Sequence, residues 1–111
     1  MRYKKLGNTD IDLSIIGLGS MTFGEQNSSS EAFEQMDYAA EKGINYFDTA
    51  EMYPVYPKKE TCGKSEEIIG DWIKTKKNRS KIIIGTKAVS NHPAGIGASK
   101  NKSNNDRINF I

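Results

Sequence analysis

The sequence predicts an α/β fold of strands alternating with helices, and three observations carry that reading. Two short runs rich in β-branched and aromatic residues, Asn45-Tyr-Phe-Asp48 and Lys81-Ile-Ile-Ile84, each lead into a polar loop, the pattern of a buried strand. Two stretches with apolar residues at helical spacing alternate with them. Asp48-Thr-Ala-Glu-Met-Tyr53 and Lys87 follow the two strands directly, so parallel strands would bring a carboxylate, a phenol and an ammonium to one carboxyl-end face. That face is where open and closed α/β folds carry their chemistry.

The elements follow in order. Residues 2–13 hold two strand-like pieces around Gly7-Asn8-Thr9, a turn composition suited to a β-hairpin. Ile15-Ile-Gly-Leu-Gly19 reads as the next strand, with glycines where backbone or ligand approaches closely. Ser28-Ser-Ser-Glu31 is a capping box, so a helix is expected to start there. Phe33, Met36, Ala39 and Ala40 form its apolar face, and Gly43 stops it after Lys42. A strand from about Asn45 to Thr49 comes next, then a loop from Tyr53 to Lys64.

Ser65-Glu66-Glu67 offers a second N-terminal cap, before a stripe of Ile68, Ile69, Trp72 and Ile73. Trp72 is expected to pack against the sheet, and Gly70, which costs ~1 kcal/mol relative to alanine in a helix, to be retained by close packing. Lys74 to Lys81 reads as a solvated helix end, and residues 81–86 as the third strand. Residues 88–105 turn polar and Gly/Asn/Ser-rich, the composition of a flexible loop over the active-site face, and residues 106–111 resemble the first turns of a helix.

A chain of 111 residues is one domain at most. Its 16 Lys plus Arg against 14 Asp plus Glu give a net charge of +2, with the basic residues dispersed, so no electrostatic footprint for nucleic acid or a membrane surface is present. One cysteine, Cys62, excludes an internal disulfide and suits a reducing compartment. The segment "LSIIGLGSM" is too short and too Gly-rich for a signal-peptide core, and the chain reads as soluble and cytoplasmic. No metal site is assigned.

Four motifs in order, "GLGSMTFG", "GINYFDTAEMY", "GKSEEIIGDWI" and "KIIIGTK", together resemble the N-terminal part of the aldo-keto reductase superfamily. The loop "AEMYPVYPKKETCGKSEEIIG" is similar to that of the bacterial branch related to potassium-channel β subunits, and the resemblance runs from about Tyr3 to Lys87. It implies a TIM (β/α)8 barrel, which typically needs ~250 residues. Residues 1–111 would then be the N-terminal part of an NADP-dependent oxidoreductase domain, a hairpin with about three βα units, incomplete as a barrel. An unpaired sheet edge in such a piece is expected to favour self-association.

The resemblance also implies the chemistry, NADP(H)-dependent hydride transfer between a nicotinamide and an aldehyde, ketone or alcohol. Tyr53 would be the acid–base residue, Lys87 the cation that makes its phenol a better acid, and Asp48 the carboxylate that orients Lys87. A free phenol titrates near ~10, so a neighbouring cation that stabilises the phenolate is a reasonable device. Gly19, Ser20 and Met21, with Asp48, would contact the nicotinamide end. A Rossmann reading of the segment from Gly17 fails, because Thr22 replaces the third glycine of the fingerprint.

The family's fourth site residue is a histidine at the end of the next barrel strand, and His92, in the polar loop before a proline, does not fill that role. The chain alone is therefore expected to be inactive. A second reading, a non-catalytic interaction or regulatory module of the channel β-subunit type, follows from the same resemblance. A third, a small flavodoxin-like nucleotide binder, is disfavoured by the absence of a Gly-rich phosphate loop.

Overall fold

The computed structural model describes residues 1–88. The loop expected to 105, beyond Ala88, with His92 and the helical turn at 106–111, lies outside the described residues.

The chain opens with a hairpin in which β1 (Tyr3–Lys5) pairs antiparallel with β2 (Asp12–Ser14), Tyr3 opposite Ser14 and Lys5 opposite Asp12. Asn45 stitches this hairpin to the sheet. Its amide nitrogen donates to Asp12 O at 2.8 Å, its Oδ1 accepts the Ser14 amide at 2.8 Å, and its own backbone N–H donates to Ser14 Oγ at 3.1 Å.

Three parallel strands follow in the order β3 (Leu18–Gly19), β4 (Tyr46–Asp48), β5 (Ile83–Gly85). Gly19, Asp48 and Gly85 stand side by side across the sheet, as do Leu18, Phe47 and Ile84. The first of these strands is shorter than the expected Ile15–Gly19. The hairpin claims the start of that segment: the Ile15 amide donates to Arg2 O at 3.0 Å and the Ser14 hydroxyl to Ile16 O at 2.7 Å. Ile15 and Ile16 are consequently half exposed rather than buried in a strand.

Helix α1 (Ser29–Glu41) starts where the capping box places it, with the Glu31 amide donating to Ser28 Oγ at 3.2 Å and the Ser28 amide to Glu31 Oε2 at 2.7 Å. Ala32, Met36 and Ala39 are buried, with Phe33 and Ala40 packed at the margin. Gly43 ends the run at φ +82°, and a Cβ there would also meet the Tyr3 hydroxyl at 2.9 Å.

Helix α2 (Lys64–Lys76) departs from expectation at its start. Gly63, at φ +87°, is the N-cap, and no side chain caps the helix. Ser65 is fully buried, and its hydroxyl is directed at Ser20 O (2.9 Å) and Phe23 O (2.8 Å), so it braces the loop after β3 instead. The stripe of Ile68, Ile69, Trp72 and Ile73 is buried as its periodicity requires. Gly70 is not held by packing: it is exposed, and a Cβ there would meet nothing within 4 Å.

Both helices cover one face of the sheet. Phe23, Phe47 and Ile82 complete the core, with the Phe47 and Trp72 rings 5.4 Å apart and tilted by 42°. The Trp72 indole N–H donates to Asp37 Oδ1 at 2.9 Å, and Lys76 reaches Asp37 Oδ2 at 2.8 Å, clamping α2 to α1. After α2 a single 3-10 turn, Arg79–Lys81, takes up Lys81, the residue expected to begin the third strand. The strand therefore starts at Ile83, while the lysines at the end of α2 are solvated as expected.

Candidate active site

Side chains alternate across a strand, so the neighbours of Phe47 point away from the helices. Asp48 is thereby on the open face, between two glycines that carry no side chain. Its backbone is fixed from the other side of the sheet order, since Asp48 O accepts both the Ser20 amide and the Ser20 hydroxyl at 3.0 Å.

The β4–β5 ladder continues past the strands themselves. Thr49 donates to Gly85 O and Glu51 to Lys87 O, each at 2.9 Å, so Lys87 is held two rows above Gly85 at the carboxyl end. From there its ammonium returns to Asp48, with Nζ 3.0 Å from Oδ1 and 2.9 Å from Oδ2. The same nitrogen lies over the Tyr53 ring, 5.1 Å from its centroid.

Tyr53 is fixed through its backbone. Its amide donates to Ala50 O at 3.1 Å, and its carbonyl accepts Gly63 N at 3.1 Å and Ser65 N at 3.5 Å, the first amides of α2. Helix α2, held by its buried stripe, thus anchors the loop that carries the phenol. Asp48, Tyr53 and Lys87, from three segments up to 39 residues apart in sequence, meet at one point. The contact between Lys87 and Tyr53 is with the face of the ring, and no hydrogen bond joins the two side chains among the described residues.

Partial burial pulls the Lys87 pKa down, but the hydrogen bond and charge of Asp48, with smaller contributions from Tyr53 and Tyr46, outweigh it. The net result is an ammonium held above the ordinary lysine value and charged throughout the neutral range.

The turn after β3 divides its residues between support and access. Ser20 is buried and its hydroxyl is engaged with Asp48 O, so it braces the site and offers no free donor. Gly19 opens onto space, with nothing within 4 Å of where a Cβ would stand, and Met21 is exposed. Met21 O accepts the Val55 amide at 2.9 Å, and a Lys58–Glu25 ion pair joins the same two loops farther out.

Sequence reasoning missed Tyr46, whose hydroxyl lies 3.5 Å from Asp48 Oδ1. The available signal was the two-residue strand period counted back from Asp48. It also missed Glu66, which accepts the Thr86 hydroxyl at 2.5 Å and ties α2 to the segment leading to Lys87.

Residues 15–108 match the model of the aldo/keto reductase family. Over 87 residues, 78% of the chain, the sequence is 47% identical to Protein tas of Escherichia coli strain K12, of which this covers 25%. A Bacillus subtilis protein described as uncharacterized oxidoreductase YqkF is 43% identical over 88 residues, 79% of this chain and 25% of that protein. The chain spans about a quarter of the length of the curated relatives it matches. Among solved structures, the holo form of aldo-keto reductase AKR11C1 from Bacillus halodurans is similar with a TM-score of 0.67 and 33% identity, over 86% of this chain and 28% of that one. The hairpin and βαβαβ unit are accordingly the N-terminal portion of a TIM (β/α)8 barrel, incomplete as a barrel.

Proposed function

We propose, on the premise that this chain belongs to the aldo/keto reductase family, that it carries the acid–base half of a nicotinamide-dependent carbonyl reductase. The observation that carries the proposal is the convergence of Asp48, Tyr53 and Lys87 at the carboxyl ends of β4 and β5. The substrate class is an aldehyde or ketone, or the corresponding alcohol in the reverse direction, and the cofactor is NADP(H).

The open space at Gly19, the exposed Met21 beside it and the Asp48 face fit a flat ring laid against the strand ends. Gly19, Met21 and Asp48 would hold the nicotinamide end, with Ser20 acting through the backbone of Asp48. When bound, the nicotinamide supplies hydride to the carbonyl carbon.

The chain's own residues handle the proton. Tyr53 donates its hydroxyl proton to the carbonyl oxygen as negative charge develops there, and regains a proton after release. Negative charge left on the phenol is stabilised by the Lys87 ammonium over the ring, a charge already in place before reaction and therefore costing no reorganisation. Asp48 holds that ammonium with both oxygens and prevents it from turning out to solvent.

On this reading Asp48, Tyr53 and Lys87 are not sufficient by themselves, and turnover also requires the histidine and the later strands that the family resemblance implies. A reducing, cytoplasmic setting is part of the same reading, supported by the lone Cys62. In a complete barrel carrying this chain followed by the later strands of the family, Tyr53→Phe should cut carbonyl reduction by ~10²-fold or more while NADPH binding, followed by cofactor fluorescence, stays unchanged. Near-normal turnover of that variant would refute the assignment.

A further inference from the structure

We infer that Tyr46 is a positioning residue for this site: its phenol forms the floor beneath Asp48 and fixes the carboxylate that aims Lys87 at Tyr53. The inference rests on the acid–base reading above and extends it to a residue outside the trio.

Tyr46 precedes Asp48 by two residues on β4, so the pleat sends both to the open face. Beside β4 that face is lined by glycine, Gly17 just before β3 and Gly85 at the end of β5. A Cβ at Gly17 would stand 2.7 Å from Tyr46 Cδ1, and one at Gly85 would collide with the Tyr46 hydroxyl. The ring therefore spans from the β3 side of β4 to the β5 side, in space that only glycine leaves open at these two positions. Its hydroxyl ends 3.5 Å from Asp48 Oδ1, the oxygen that also receives Lys87 at 3.0 Å.

Asp48 is thus restrained on three sides: its carbonyl by Ser20, both carboxylate oxygens by Lys87, and Oδ1 from below by Tyr46. Lys87 is half exposed and cannot hold the carboxylate by itself, because an exposed pair exchanges readily with water. A donor whose ring is wedged between Gly17 and Gly85, as that of Tyr46 is, limits rotation of the carboxylate more than an exposed, flexible ammonium does. Without it, Asp48 can turn and the ammonium can leave the ring face of Tyr53.

Two variants reach the same hydroxyl by different routes in a complete barrel carrying this chain. Tyr46→Phe keeps the ring and deletes the hydroxyl, whereas Gly85→Ala keeps the hydroxyl and displaces it. Each should lower kcat about tenfold, with KM and NADPH affinity within about twofold of the parent and the thermal midpoint retained. The double variant should lose little more than either single one, because both remove one contact.

A parental kcat in either single variant, or losses that multiply in the double, would overturn the inference. Tyr53→Phe in the same barrel separates the two levels. An inactive Tyr53→Phe beside a full-rate Tyr46→Phe sinks only the role of Tyr46, whereas an active Tyr53→Phe sinks the acid–base reading and this inference with it.

Discussion

Replacing Lys87 by methionine separates catalysis from stability, because the proposed function asks much of the ammonium in the first while its exposure leaves it little part in the second. The Lys87 and Asp48 side chains are 51% and 42% exposed, and an ion pair so open to solvent contributes at most ~1 kcal/mol. Methionine keeps most of the apolar stem, so the variant should shift the thermal midpoint of a complete barrel by only a few degrees. The rate should respond far more. Removing the fixed charge over the Tyr53 ring takes away stabilisation that grows as the phenol loses its proton, and losses of ~10²-fold are typical of such groups. The assay is single-turnover oxidation of NADPH at saturating aldehyde, followed beside the melt on one preparation. A rate within threefold of the parent would refute the role of Lys87. A melt lowered as far as the rate would show that the residue is structural.

Asp37 should make stability acid-sensitive: the hydrogen bonds from Lys76 and Trp72 hold its carboxyl below the usual aspartate value, outweighing the opposing effect of burial. A depressed folded-state pKa means stability that is present above the unfolded value and lost as pH falls through the folded one, so Asp37→Asn should flatten the acid limb of a denaturation-midpoint profile. Gly70→Ala should raise the unfolding free energy by up to ~1 kcal/mol, since the position is exposed, helical and free of neighbours within 4 Å; a loss of stability would reveal packing on that face. The 111-residue chain alone should bind a hydrophobic dye and scatter as oligomers, because β3 and β5 each have an unpaired edge among the described residues; a monodisperse monomer with a sharp melt would oppose this.

What the sequence made legible was local chemistry. The Ser28–Glu31 box and the α2 stripe need only residues within a few turns of each other, and both stand as read. The meeting of Asp48, Tyr53 and Lys87 was legible for a different reason: parallel strands place whatever follows them on one face. What escaped was decided by distant partners. Ser65 looks like a cap, yet two carbonyls 42 and 45 residues away claim its hydroxyl, leaving Gly63 to begin the helix. Ile15 and Ile16 look like strand, yet bonds to Arg2 and Ser14 draw their backbone to the hairpin. Tyr46 reads as an ordinary strand aromatic until Gly17, just before β3, and Gly85 on β5 show where its ring must lie.

The three residues of β4 show how core and site are coupled. Phe47 faces the helices and is almost fully buried against Trp72, while Tyr46 and Asp48 on either side of it face the open side. Because successive side chains are locked to opposite faces, the packing that fixes Phe47 also fixes the direction of the carboxylate. The same holds for the phenol: the α2 amides that bind Tyr53 O belong to the helix whose stripe fills the core. A slip of β4 by one residue would bury Asp48 and expose Phe47 together, so the apolar packing on the helix face is what specifies the register of the chemistry on the other.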